Sequence, residues 1–126
     1  MREKIYETQH DFEEHYWWFV GRRAIVFDLI RRYAMDRMAR IILDAGCGSG
    51  CLTDKLQVFG KVCSIDFSHH ALQLAYRRGV RLLANGSLDT LPIRDQKFDI
   101  ITSLDVLEHL DDDMNAMSEL NRICKK

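Results

Sequence analysis

Apolar residues fall into two alternating rhythms along this chain. From Arg22 to about Met38, Ile25, Val26, Leu29, Ile30 and Tyr33 recur at steps of three and four with arginines between them, the spacing of one helix face. Short continuous runs then take over. "RIILD" reads as a buried strand, "GCLTDKLQVFG" as a helix that Gly60 closes in a left-handed conformation, and "KVCSID" as a second strand. Ser68 is placed to cap the helix "HHALQLAYRR", which Gly79 ends, and "VRLLA" follows as a third strand. Beyond the polar loop "NGSLDTLPIRDQK", which contains Pro92, "FDIITSLD" gives a fourth strand. After "VLEHL", Asp111, Asp112 and Asp113 open a last helix whose Met114, Met117, Leu120 and Cys124 share a face.

Strands alternating with helices in this order predict an α/β fold, with parallel strands joined by right-handed crossovers and helices on both faces of the sheet. Such sheets bind ligands beyond the carboxyl ends of their strands, where strand order reverses. Asp44 to Gly50, Asp66, the 85 to 90 loop and Leu104 to His109 all follow strand ends and are expected to converge there.

Composition narrows the field of functions. A chain of 126 residues, 47% hydrophobic and 29% charged with one proline, has the makeup of one folded domain. A formal charge of -1 gives no footprint for nucleic acid or an anionic membrane, and from Asn85 to Glu119 nine carboxylates face only Arg94 and Lys97. Cys47, Cys51, Cys63 and Cys124 form no C-x-x-C pair and have no histidine at zinc-ligand spacing, so no metal site is expected. With no signal-peptide core and no run long enough to span a membrane, the expected location is the cytoplasm, with reduced thiols.

The chemistry concentrates in "LDAGCGSG", where Gly46, Gly48 and Gly50 alternate behind the carboxylate of Asp44. Glycine backbone allows close approach, and amides at the start of a helix attract a carboxylate or phosphate. A dinucleotide fingerprint would read G-x-G-x-x-G, whereas here Cys51 stands where the last glycine belongs. Asp44 would repel a pyrophosphate, which counts against a nicotinamide-dinucleotide oxidoreductase. It suits a ligand carrying a carboxylate, an ammonium and a sulfonium, and S-adenosylmethionine is such a ligand. Each residue also has a plainer reading, with Asp44 as a turn cap, Asp66 as the start of an Asx-turn, and the glycines as turn formers.

Taken together, "ILDAGCGSG", the acidic strand end "SIDFS" and "GSLDTLPIRDQKFDIITSLDVLEHLDDD", continuing into "ELNRICKK", resemble the class I S-adenosylmethionine-dependent methyltransferases. The opening "HYWWFVGRRAIVFDLI" looks like the N-terminal helix of bacterial members that act on small molecules or on lipid- and sugar-linked substrates. The resemblance implies a Rossmann-like sheet at residues 41–126 behind an aromatic, helical arm at 1–40. It implies that Asp44, Ala45, Gly46, Cys47, Gly48 and Gly50 hold the methionine end of the cofactor, through Asp44 and the loop amides. Asp66 would accept from both ribose hydroxyls and Phe67 would lie on the adenine. Ser87 stands where the family commonly has a carboxylate for the adenine amine, with Leu88 and then Asp89 beyond it.

Leu104 and Asp105 would line the cofactor near its sulfur, and Glu108 and His109 would face the methyl acceptor. His109, Glu108, His15 and Tyr16 are candidate bases, although His109 fits a backbone-carbonyl bond equally well. Tyr16, Trp17 and Trp18 read either as a lid and acceptor wall or as docking core. By the family's pattern the chain is expected to be truncated after the fourth strand and its helix, three strands short. The fourth strand would then offer an open edge for self-association. The expected function is methyl transfer to a small-molecule or lipid- or sugar-linked acceptor, and the alternatives are a non-catalytic cofactor-binding module and, behind it, a nicotinamide-dinucleotide-binding oxidoreductase domain.

Overall fold

The computed structural model describes residues 4, 12–36 and 40–126. Helix α1 (Trp17–Tyr33) leads into strand β1 (Ile41–Ala45), helix α2 (Cys51–Leu56), strand β2 (Lys61–Asp66) and helix α3 (His69–Arg78). Strands β3 (Leu83–Asn85) and β4 (Ile100–Thr102) follow, then a 3-10 turn at Leu107–His109 and helix α4 (Asp113–Ile123). The strands form one parallel sheet in the order β3-β2-β1-β4. The chain therefore works outward from β1 to β3, then crosses back to the other flank of β1. Strand order reverses between β1 and β4, and a crevice opens at their carboxyl ends. Register places Asp44 level with Ser64 on one side and Thr102 on the other.

The pleat sends successive β1 side chains to opposite layers. Ile42 packs with Ile30, Leu56, Phe59, Val62 and Ile100 under α1 and α2. Leu43 and Ala45 pack with Ile65, Phe98, Ala116, Leu120 and Ile123 under α4. Ile42 and Ile123 are fully buried, and each such side chain contributes roughly 1.5–3 kcal/mol by leaving water. No helix among the described residues is long and apolar enough to cross a membrane.

Several local expectations need revision. Helix α1 begins at Trp17 rather than Arg22 and ends at Tyr33 rather than near Met38, which itself lies outside the described residues. Of its expected apolar face, Ile30 is buried and Val26 packs on the core, but Ile25, Leu29 and Tyr33 are 64%, 50% and 78% exposed. The inward face is instead Phe19, Arg23, Val26, Phe27 and Ile30, with Phe27 edge-on to Phe59 at 4.9 Å. Gly60 does not close α2 in a left-handed conformation. A Cβ there would lie 2.4 Å from the Arg40 carbonyl oxygen, so close backbone approach is what requires glycine.

Other boundaries held. Ser68 caps α3 by accepting from the Ala71 amide, and Gly79 ends it at φ 108°. Asp112 caps α4 through the Asn115 amide. Cys124 leaves that helix extended and pairs with Phe98 at the start of β4, where the Lys125 amide donates to the Phe98 carbonyl at 2.8 Å. The outer side of the fourth strand's entry is thus paired by the chain itself. β4 is shorter than "FDIITSLD", because the backbone turns beyond Thr102 and reaches φ 55° at Asp105.

Candidate functional site

Beyond β1 the chain turns through Gly46, Gly48 and Gly50 at φ 81°, 55° and 81°, a region L side chains rarely enter. Their reasons differ. A Cβ on Gly46 would lie 2.2 Å from Val106 Cγ2 and one on Gly50 2.8 Å from Ala75 Cβ, whereas one on Gly48 would meet nothing within 4 Å. Gly46 and Gly50 let neighbouring elements pack, and Gly48 alone bares its backbone to open space. Their amides are already bonded to the scaffold. Gly46 and Cys47 donate to the Ile65 carbonyl (2.8 and 3.1 Å), Gly48 to Asp66 Oδ2 (2.9 Å) and Gly50 to the Cys47 carbonyl (3.1 Å). The donors at the ends of β1 and β2 thus find acceptors within the scaffold itself.

Two carboxylates brace this loop. Asp44 is buried, with Oδ2 accepting from the Thr53 hydroxyl at 2.6 Å and Oδ1 from the Thr102 hydroxyl at 2.9 Å. Burial pushes its carboxyl above the ordinary range, only partly offset by those two hydroxyls. Asp66, also buried, holds the Gly48 amide with one oxygen and the Ser68 amide at 2.8 Å with the other, an Asx-turn. Cys47 is pushed well above the usual thiol range by burial and by both aspartates, and burial pushes Cys51 up to about 11. Both thiols stay protonated at neutral pH and are poor nucleophiles.

Around the loop lies a cleft of about 570 Å³, within the size range of small-molecule sites. Asp44, Gly46 to Gly48 and Asp66 form its base, with Phe67, Gly86, Ser87 and Leu88 on one side and Leu104 to Val106, His109 and Leu110 on the other. Glu13 and three α1 residues, Phe19, Arg22 and Arg23, supply a further wall. Arg22 forms an ion pair with Asp105 across the cleft mouth. The turn before α1 is fastened to the glycine loop, because Ser49 Oγ donates to Glu13 at 2.6 Å and Arg78 donates to both the Ser49 carbonyl (3.2 Å) and Glu14 (3.0 Å). Lys55, at 3.1 Å from Glu14, holds that carboxyl below its ordinary value.

Residues 43–126, which carry the glycine loop, all four strand ends and α4, match the family of proteins described as a methyltransferase domain. The chain belongs to the class I S-adenosylmethionine-dependent methyltransferases. Among its relatives, a Mycolicibacterium smegmatis protein named "Probable S-adenosylmethionine-dependent methyltransferase" is 30% identical over 90% of this chain and 43% of its own length. A Staphylococcus aureus demethylmenaquinone methyltransferase is 30% identical over 90% of this chain and 47% of its own. A Methanococcus maripaludis crystal structure described as that of a "putative s-adenosyl-l-methionine-dependent methyltransferase" shares the fold, with a TM-score of 0.83 at 22% identity over 98% of this chain and 59% of its own. The chain thus spans less than half the length of these two curated relatives.

Of the residues expected at the site, the cleft gathers Asp44, Gly46, Cys47, Gly48, Asp66, Phe67, Ser87, Leu88, Leu104, Asp105 and His109. Four expected residues do not line it. Ala45 is buried in the core and Gly50 faces Ala75. Asp89 turns back to accept from the Ser87 hydroxyl at 3.2 Å, and Glu108 is exposed on the 3-10 turn. Tyr16, Trp17 and Trp18 also stay off the wall and are 47%, 71% and 51% exposed, packed on one another at 5.9 Å. Sequence reasoning missed Glu13, Phe19, Arg22 and Arg23. The one available signal was that Phe19, Arg22 and Arg23 fall at i, i+3 and i+4 on one helix face.

Proposed function

We propose that the cleft binds S-adenosylmethionine and presents its methyl group to a small-molecule acceptor on the side of Leu104, Asp105 and His109. What carries this reading is the convergence of the Asp44 to Gly48 loop, Asp66, Ser87 and the 104–110 turn on one cleft at the point where strand order reverses. The residues suit the cofactor's parts. Asp44 and Asp66 place two carboxylates at the base for an ammonium and for ribose hydroxyls, Gly48 leaves open space, and exposed Phe67 offers a flat face to adenine beside Ser87 and Leu88.

When bound, the cofactor supplies an activated methyl group on a sulfonium, so the protein's work is alignment and exclusion of water. Leu104, Val106, Leu110 and Phe19 form the apolar part of the acceptor side, which fits an acceptor with an apolar body, as the demethylmenaquinone relative suggests. His109 is the basic group on that side and takes the acceptor's proton. Glu108, exposed and off the wall, is not assigned that role.

Calorimetry with S-adenosylhomocysteine and with NAD tests the reading, with binding of the former expected and tighter binding of NAD overturning it. Asp66→Ala should weaken S-adenosylhomocysteine by roughly 2 to 3 kcal/mol, because two hydroxyls lose a charged acceptor, and should also lower the melting temperature, because the Gly48 and Ser68 amides lose theirs. A loss below about half a kcal/mol, within the range of a contact that does not matter, would remove Asp66 from the site.

A further inference from the structure

If the cleft takes S-adenosylmethionine, as proposed above, the amino-acid end of the cofactor brings a carboxylate whose partner has to be found. The cleft is acidic toward it, since Glu13, Asp44, Asp66 and Asp105 all line the wall. The loop amides of Gly46, Cys47, Gly48 and Gly50 are bonded to Ile65, Asp66 and Cys47. Helix α2, six residues long, offers only a short dipole. Two cations remain on the cleft wall, and one of them, Arg22, is paired with Asp105.

We propose that Arg23 receives the cofactor's carboxylate. It is half-buried on the cleft wall, and among the described residues its guanidinium has no hydrogen bond, ion pair or ring contact. The helix that carries it is fixed beside the glycine loop through the Glu13 bond to Ser49 and the Glu14 bonds to Arg78 and Lys55. A planar guanidinium fork matches a carboxylate with two parallel hydrogen bonds, which an ammonium cannot do. The wall then divides its charge by function: carboxylates at the strand ends for the ligand's cationic and hydroxyl groups, and one uncommitted cation on α1 for its anion.

Equilibrium binding of S-adenosylhomocysteine and of its decarboxylated analogue, S-adenosyl-3-thiopropylamine, isolates the carboxylate. For Arg23→Gln, affinity for S-adenosylhomocysteine should fall about tenfold to a hundredfold while that for the analogue changes less than about twofold, with Arg23→Lys recovering part of the loss. Thermal unfolding confirms that each variant is folded. An equal loss for both nucleosides assigns Arg23 to packing and overturns the proposal. Unchanged binding of both, the result expected if the guanidinium serves an acidic acceptor instead, overturns it too. A wild-type chain that binds neither nucleoside overturns the cofactor reading itself, a failure distinct from those of the variant.

Discussion

Gly46 and Gly48 share a left-handed backbone, yet their neighbours make them respond differently to a methyl group. In Gly46→Ala the new Cβ collides with Val106, whose side chain lines the cleft and packs against the buried core, so neither can yield cheaply. The expected cost is roughly 3 kcal/mol or more, from overpacking added to backbone strain. Gly48→Ala meets open space and costs about 1 to 2 kcal/mol for the backbone alone, but it places a methyl in the cleft and should lose nucleoside affinity instead. Urea unfolding and calorimetry on both variants separate the two effects, and equal destabilisation would show that φ alone governs this loop. The alternating glycines were legible in the sequence. Their division of labour was not, because Val106 and Ala75 reach the loop from distant parts of the chain.

Among the elements, α3 was the most legible because its limits are local: the Ser68 hydroxyl caps one end and Gly79 turns the other. Helix α1 was least legible. Its apolar residues are spread around the cylinder, and the sheet, not the periodicity, selects Phe27 and Ile30 over Ile25 and Leu29. What fastens the turn before α1 to the rest is chiefly Arg78, at the end of α3, whose side chain is 12% exposed and reaches Ser49, Glu13 and Glu14. Arg78→Ala leaves the buried Glu13 carboxylate without that cation and should destabilise the fold by about 2 to 4 kcal/mol. Arg78→Lys should recover only part, since the three acceptors are met by Nε, Nη1 and Nη2 of a wide planar fork that a compact ammonium does not reproduce. Limited proteolysis should cut within α1 first in the alanine variant. Cleavage no faster than in wild type would mean that Lys55 and Ser49 suffice.

At the scale of the molecule, parallel strands and a crevice at their carboxyl ends followed from the alternation of strands and helices, because parallel strands admit few connections, whereas the strand order did not. The acidic side of the cleft followed too, whereas its basic wall belongs to a helix whose placement only tertiary packing decides. The crossover from β3 to β4 is tied down by Arg122 of α4, which donates to the Leu91 and Ile93 carbonyls, Asp95 and Glu119. Arg122 holds the Glu119 carboxyl down at about 2, so its contribution to stability is complete above 4.5 and is lost as pH falls through about 2. Glu119→Gln should therefore melt below wild type at pH 7, with the gap narrowing under pH 4.5 and closing near pH 2. A gap that stays constant with pH would remove ionisation as the cause. Asp44, with its carboxyl raised by burial, acts in the opposite sense. Its hydroxyl partner Thr102 lies 58 residues further along, on a strand that pairs with β1 only after β2 and β3 have been made. On the ribosome, then, one flank of β1 stays bare and the Asp44 carboxylate lacks its second hydroxyl until β4 has emerged, so a nascent chain completes the cleft late.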